Sequence, residues 1–504
     1  MNDRQIVTAQ EMRQLDRLTI EQRRITAYEL MVQAGTACET YLYHEHLCDF
    51  NGFFVVVAGP GNNGGDAVIV FRNLLEHGVH AHLIQVGQQE HYSDELTTAL
   101  ASLKPLKPTV HLVENEDDLA LSLPWLEQAN TIIDGLFGVG LTRKVEGMYA
   151  SLIQHINHSY ATVISLDLPS GIHADNGLVM GISVEAHHTL VIQNYKQGNL
   201  LNDALDYTGK QHLIDVGILQ TVFPDTQVML DRNYLNKKIP ERRHNSYKYL
   251  FGNILTIGGS KGMMGAPLLS AYTALRMGSG LSNLLTLDKY RSYGFYVYPD
   301  VMMNTYDGIE EIPSLVRNKS AIIFGPGLGR KDDINKDVLS YLLSTDIPLV
   351  IDADGIHYLK QLLPDYSKRP NIVITPHYKE MSDFLGISMD EVRYNPVAYA
   401  RNIAHTYNLT VVLKGTCTII TNNEDTLFSV YGNPGLATAG TGDVLSGMIG
   451  NLLGRGYPPM KAAKLGVLFH SIAGEYARDK FGEESMIASD LIDMIPQVMR
   501  HARR

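Results

Sequence analysis

Short apolar runs alternate with stretches of helical period along almost the whole chain. In the first half the runs are FFVVVAG (53–59), AHLIQVG (81–87), NTIIDGL (130–136), ATVISLD (161–167) and HTLVIQN (188–194). Such runs, spaced far enough apart to admit a helix between them, predict a mainly parallel, doubly wound sheet. Two helices are expected ahead of the first run. Thr8 with Glu11 and Thr26 with Glu29 read as capping boxes, and Leu30, Ala34, Cys38 and Leu42 recur at helical spacing. The rhythm breaks between Gly217 and Lys238, around Pro224, Asp225 and the mixed run DRNYLNKK, so the chain is divided there into residues 1–222 and 223–504. It restarts with FGNILTIGG (251–259), GLSNLLTL (280–287), AIIFGPG (321–327), PLVIDAD (348–354), NIVITPH (371–377) and LTVVLKG (409–415). A second parallel α/β domain is predicted, finished by helices from about Gly442 to Gly454, Pro459 to Lys480 and Ser489 to the end.

Length supports this division, since 504 residues exceed what one core usually serves. The net charge of −12 argues against a nucleic-acid or anionic-membrane surface, so any phosphate must be held by local geometry. Cys38, Cys48 and Cys417 form no CxxC pair and have no nearby histidine cluster, which points to a reducing compartment and no zinc site. The opening MNDRQIVTAQEMRQLDRL is too polar for a signal peptide, and the apolar runs are too short to span a bilayer. A cytoplasmic protein without a membrane partner is expected, and a homo-oligomer.

The densest chemistry lies in GNPGLATAGTGDVLSG (432–447), where a glycine-rich turn leads into a helix with Asp443 in its first turn. Glycines let backbone amides close around phosphate oxygens, the free amides of Gly440 to Gly442 face developing negative charge, and an acid beside them can take a hydroxyl proton. Asp443 is the candidate base; an ordinary acidic helix start is the plainer alternative. GGSKGMMGA (258–266), GPGLG (325–329), DADG (352–355) and TPHYKEM (375–381) all follow apolar strands and converge on the sheet's C-terminal edge. His377 has no metal partners at ligand spacing and is read as a substrate contact or a structural histidine. In LKGTCTII (413–420), Lys414 and the hydroxyls can reach a nucleotide's phosphates or ribose.

In the first half, GPGNNGGDAVIV (59–70) joins a strand to a helix, a context in which a glycine turn approaches a pyrophosphate. IDGLFGVGLTRKVEG (133–147) and LDLPSG (166–171) also end strands with acids, glycines and hydroxyls. Asn63, Asp134 and Ser170 offer oxygens on which a hard cation can converge, leaving Asp167 for proton work. Arg143 and Lys144 are the cations of their loop, suited to a phosphate or simply to solvent.

Together GPGNNGGD, DGLFGVGLTRKVEG and DLPSG resemble the NAD(P)H-hydrate epimerases, over about residues 8 to 215. That resemblance implies a Rossmann-like domain. It assigns Asn62, Asn63, Gly64, Gly65, Asp66, Gly138, Val139, Gly140, Leu141, Thr142, Arg143, Lys144 and Asp167 to the hydrated nicotinamide nucleotide, with Asp167 as acid/base. Asn63, Asp134 and Ser170 would hold potassium. ELMVQAG (29–35) departs from the family, which usually has Glu or Asn after the Met. In order, GGSKGMMGA, GPGLG, DADG, TPHYKEM, LKGTCT and GNPGLATAGTGDVLSG resemble the ADP-dependent NAD(P)H-hydrate dehydratases of the ribokinase-like superfamily, over about residues 240 to 500. Lys414, Gly415, Thr416, Cys417, Thr418 and Gly442 would then bind the adenine nucleotide, and Ala266, Gly327, His377 and Asp443 the hydrate. Departures are Tyr378-Lys379 in place of Pro-Gly and Ala439 in place of Gly. The implied activity is repair of NADHX and NADPHX. The R and S epimers are interconverted, and the S form is dehydrated with ADP as co-substrate and magnesium assisting, releasing AMP and phosphate. Two rivals stay open. A small-molecule kinase would consume ATP and leave a phosphorylated product, and a non-catalytic binding module would account for the first half without chemistry.

Overall fold

The computed structural model describes residues 5–293, 298–363, 366 and 368–503. The chain divides into two compact units, Met1–Gln227 and Val228–Arg504.

In the first unit β1 (Gln5–Val7) is followed by the helices Ala9–Arg23 and Ala27–His44, whose caps at Thr8 and Thr26 are closed by Glu11 and Glu29. Then come β2 (Phe54–Ala58), β3 (Ala81–Val86), β4 (Val110–Val113), β5 (Thr131–Gly135), β6 (Thr162–Leu166), β7 (His188–Ile192), β8 (Tyr195–Lys196) and β9 (Lys210–Ile214). Seven of them form a sheet in the order β4-β3-β2-β5-β6-β7-β9, parallel throughout, while β1 pairs in parallel with β8. The central strands are buried on both faces, as parallel strands covered by helices must be. The order reverses between β2 and β5, so the loops after these two strands diverge and open a crevice at their C-terminal ends. Register places Asp134 beside Val57 on β2 and Ser165 on β6, in the middle of that edge.

β10 (Gln227–Met229) spans the change of unit. The second unit carries β11 (Asn253–Ile257), β12 (Leu281–Leu287), β13 (Met302–Tyr306), β14 (Ala321–Phe324), β15 (Leu349–Ile351), β16 (Ile372–Ile374), β17 (Thr410–Leu413), β18 (Thr418–Thr421) and β19 (Thr426–Ser429). Within it the order is β13-β12-β11-β14-β15-β16-β17-β18-β19. Pairing is parallel as far as β17, and then β17-β18-β19 turn antiparallel, because the short links after β17 and β18 leave no room for a crossover. The switch falls between β11 and β14. There Gly259 N donates to Pro326 O at 3.0 Å, and a side chain on Gly258 would meet that oxygen at 2.2 Å.

The helix Thr441–Gly454 runs through the core of this unit, with Val444, Met448, Ile449 and Leu452 at 0% exposure. It can lie there because Gly447 and Gly450 let it approach closely: an added Cβ would sit 2.5 Å from Ser270 O and 2.5 Å from Ile323 Cγ1, respectively. All three cysteines are free, and Cys38 and Cys417 are buried. Among the described residues no helix is long and apolar enough to cross a membrane.

Candidate functional site

At the first switch point lies a cavity of about 580 Å³. Of the residues assigned by sequence, Asn62, Asn63, Asp66, Gly138, Val139, Gly140, Leu141, Thr142, Arg143 and Asp167 line it. Gly64 and Gly65 do not, because their work is packing. A Cβ on Gly64 would meet Gly59 O at 2.0 Å, and one on Gly65 would meet the Met31 side chain at 2.3 Å. Lys144 is exposed and borders a smaller neighbouring pocket with Glu146 and Tyr149.

Asp167 follows β6 with φ +68, a left-handed conformation that Asp tolerates better than most residues. Its backbone is fixed on both sides: its N donates to Leu190 O at 2.8 Å, and its O accepts from Asn199 Nδ2 at 3.0 Å. Its Oδ1 accepts from Ile192 N at 3.1 Å and pairs with the ammonium of Lys196, which is 1% exposed and also donates to Ile192 O at 2.9 Å. Lys196 and Asp16 also line the cavity, and sequence reasoning missed both. Lys196 belongs to a two-residue strand and carries no motif signal. Asp16 sits on the helix Ala9–Arg23, whose polar positions look like ordinary surface.

Behind this wall Asp134 is fully buried and accepts four hydrogen bonds: Leu136 N at 3.2 Å, Ser170 Oγ at 2.5 Å, Ser170 N at 2.9 Å and Ser165 Oγ at 2.7 Å. Burial raises its carboxyl despite these donors. Asn63 Nδ2 donates to Phe137 O at 2.9 Å, and Phe137 N donates to Ser170 Oγ at 2.8 Å. Asn63, Asp134 and Ser170 are thus joined through the turn after β5. The oxygens this cluster contains, the Asp134 carboxylate, Ser170 Oγ, the Phe137 carbonyl and the Asn63 side-chain carbonyl, are of the donor type a potassium ion takes.

In the second unit four ionisable side chains meet at the strand ends. Lys414, just past β17, places Nζ 3.1 Å from Asp352 Oδ1 and 3.9 Å from Glu380 Oε2. Ser446 Oγ, from the Thr441–Gly454 helix, donates to the other oxygen of Asp352. The same helix brings Asp443 into its first turn behind Gly440, whose φ of +93 makes the sharp entry. A Cβ on Gly442 would lie 3.3 Å from Lys414 Nζ, so the ammonium stands at the helix's positive end. Burial drives the Asp443 carboxyl up, Asp352 adds to the push and Lys414 opposes it, leaving it at about 7. Burial alone would pull the Lys414 ammonium down, but Asp352, Glu380 and Asp443 together raise it. His470, held near 4 by burial, is neutral and donates from Nε2 to Thr441 O at 2.9 Å, so it anchors the turn without adding charge.

His377 caps a helix. Its Nδ1 accepts from Lys379 N at 3.1 Å and Glu380 N at 3.2 Å, which closes the start of Tyr378–Leu385. Its half-exposed ring has Nε2 3.5 Å from Glu380 Oε1, so the ring reaches a substrate only alongside that carboxyl. Ala266 and Gly327 are adjacent across the switch, since a Cβ on Gly327 would be 3.2 Å from that of Ala266. Gly415 and Thr416 are exposed and Thr418 partly so, whereas the Cys417 side chain is buried, leaving only its backbone for a nucleotide. Tyr378, one of the family departures, lies over Gly415, where a Cβ would come 2.6 Å from its ring. Asp352 and Glu380 fell within recognised motifs, but nothing in their spacing predicted that both would share Lys414.

Two parallel α/β units, one with a cavity at its switch point and one with three acids and a lysine gathered at a glycine-led helix start, have the architecture of a two-domain α/β enzyme. The NAD(P)H-hydrate dehydratase family profile matches residues 254–497, and that described as YjeF-related protein N-terminus matches 27–198. Bifunctional NAD(P)H-hydrate repair enzymes are similar over almost the whole chain. That of Thermofilum pendens is 31% identical over 99% of this chain and 97% of its own. That of Coxiella burnetii is 32% identical over 95% and 96%. The solved structure of a ribokinase-like superfamily protein from Enterococcus faecalis aligns with TM-score 0.51 at 25% identity, covering 56% of this chain and 99% of that one. The chain belongs to the family of bifunctional NAD(P)H-hydrate repair enzymes. It is accordingly an epimerase of hydrated nicotinamide nucleotides and an ADP-dependent dehydratase of their S form.

Proposed function

We propose that residues 1–222 carry the epimerase and 223–504 the dehydratase, with Asp167 and Asp443 as their respective catalytic residues. The observation that carries the second assignment is the position of Asp443: first turn of a buried helix, beside free amides and Lys414, with its carboxyl raised to about 7. A base poised near neutrality takes protons most effectively at working pH. Asp443 accepts the proton of the 6-hydroxyl as that oxygen bonds to the terminal phosphorus of ADP and AMP departs. The amides of Thr441 and Gly442, with Lys414, receive the charge that moves across the phosphoryl group. Phosphate then leaves C6 with its bonding electrons while a proton leaves C5, restoring the ring double bond. Lys414 to Thr418 and Gly442 contact the nucleotide, and Ala266, Gly327 and His377 the hydrate.

In the other unit the cavity residues from Asn62 to Asp66 and Gly138 to Lys144 surround the hydrated nucleotide, with Gly64, Gly65 and Lys144 supporting from outside its lining. Asn63, Asp134 and Ser170 hold potassium, which when bound supplies fixed positive charge beside the cavity. Among the described residues no group of three or more His, Cys, Asp or Glu is arranged to hold a metal. Magnesium, bound through the nucleotide's phosphate oxygens, would supply positive charge against them. A cytoplasmic homo-oligomer is the expected form. Incubation of mixed-epimer NADHX with ADP tests the reading: reduced-nicotinamide absorbance and AMP rise together. ATP-only turnover, or a phosphorylated product without NADH, would overturn it.

A further inference from the structure

The cavity in the first unit holds more ionisable groups than one acid/base and its counter-ion require. Asp16 from the helix Ala9–Arg23, Asp66 from the helix Asn62–Glu76, Asp167 after β6 and Lys196 on β8 all line it. The exposed Arg13 and Arg143 line it too, and the buried Cys38 thiol is close enough to feel Asp66, Asp167 and Lys196. Three carboxyls therefore compete for one buried ammonium. The geometry settles the contest, because Lys196 is bonded to Asp167 Oδ1 and Ile192 O. The described bonds to the Asp167 carboxylate all fall on Oδ1, which leaves Oδ2 for the cavity.

Among the described residues Asp66 has no such partner. Burial pushes its carboxyl well above the ordinary range, Asp167 and then Asp16 push it further, and Lys196 pulls back less. Asp16 is raised by burial to about 6, with Lys196 opposing and Asp167 adding. Asp66, which the charges of Asp167 and Asp16 push up, and Asp167, bonded to the Lys196 ammonium, flank the same space, an arrangement that divides acid from base.

We propose that Asp66 is a second catalytic residue of the epimerisation, the acid that protonates the departing 6-hydroxyl, and that Lys196 is a positioning residue that holds Asp167, the base, by its Oδ1 and leaves Oδ2 facing the cavity. This rests on the assignment of Asp167 made above. The ring nitrogen's lone pair forms a C6–N1 double bond as the C6–O bond breaks and water leaves with the proton of Asp66. Solvent water then adds to C6 from the opposite face, the nitrogen recovers its electrons, and Asp167 takes the proton. The original state returns when that proton passes back to Asp66, or when the sequence runs in reverse on the other epimer. No external oxidant or co-reactant is needed.

The test uses the full-length protein with R-NADHX, without ADP, following S-NADHX by chromatography. Asp66→Asn should lower kcat about 10²-fold or more, with KM within about threefold of the parent, and Asp66→Glu should restore part of the rate. Lys196→Met should lower kcat about tenfold or more with KM within about threefold of the parent, since Asp167 loses the ammonium that orients it, and Lys196→Arg should restore part of that rate; a merely structural lysine would show no such split between kcat and KM. Parent-like kcat in Asp66→Asn, no relief in Asp66→Glu, parent-like kcat in Lys196→Met, or a loss seen only in Asp16→Asn would each overturn the proposal. Full activity in Asp167→Asn would instead remove the assignment of Asp167 on which it rests.

Discussion

Lys414 Nζ lies 3.1 Å from Asp352 Oδ1, a bond that ties the residue after β17 to the residue after β15. Burial raises the Asp443 carboxyl, Asp352 and, less strongly, Glu380 add to the push, and Lys414 opposes them, so that it stands at about 7. The lysine is thus the one cause that opposes burial and the two neighbouring acids in setting the poise of Asp443.

Asp443→Asn should abolish dehydration while sparing nucleotide binding, because the amide keeps the shape and removes the base. A drop of about 10²–10⁴ in kcat is expected. Turnover of S-NADHX with ADP, beside ADP binding by calorimetry, checks it; turnover within tenfold of the parent would sink the role.

The dehydratase should show an acid limb. Asp443 must be ionised to accept a proton, and its carboxyl stands at about 7, so kcat/KM should rise with pH through that value. Lys414 pulls this carboxyl down, so Lys414→Met should move the midpoint upward as well as lowering the rate. Initial rates between about pH 5 and 9 measure both, that range spanning the titration.

Asp134→Ala should weaken epimerisation and its dependence on potassium together, and should also destabilise the first unit. The substitution strands Ser165 and Ser170 hydroxyls and two amides, each costing about 1–3 kcal/mol when left unpaired. Thermal unfolding with and without potassium, beside R-NADHX conversion, reads the two effects separately. Unchanged potassium dependence would remove Asp134 from the ion's site.

Glycines of one turn should behave oppositely. A Cβ on Gly61 meets nothing within 4 Å, whereas one on Gly64 would sit 2.0 Å from a backbone oxygen that cannot step aside. Gly61→Ala should stay within about 0.5 kcal/mol of the parent in stability, and Gly64→Ala should lose about 4 kcal/mol or more. Denaturant unfolding distinguishes them; equal stability would return Gly64 to the role of a substrate contact.

What the sequence made legible was whatever depends on local pattern. The buried strands β2 and β14 are unbroken apolar runs, β5, β6, β11 and β17 are apolar runs with at most two polar residues each, and the two capping boxes are set by residues three apart. Strands such as β4 and β13 were missed because alternate or most residues face solvent, leaving no apolar run. The antiparallel turn at β18 and β19 was hidden because hydrophobicity does not encode strand direction. In the sites, Asp443 and Asp167 were visible beside their glycine turns, but Lys196 reaches Asp167 across 29 residues and Lys414 reaches Asp352 across 62. Only the closed sheet edge brings such pairs together.

The cysteines give the molecule a resistance that its chemistry does not require. Peroxide attacks sulfur as thiolate. Burial raises the Cys38 and Cys417 thiols well above their ordinary range and Cys48 to about 11, so all three stay protonated at neutral pH. Cys38 stands beside the epimerase carboxyls and Cys417 within the nucleotide segment, yet neither offers a reactive sulfur. Both catalytic centres should therefore outlast an oxidant that silences thiol-dependent enzymes.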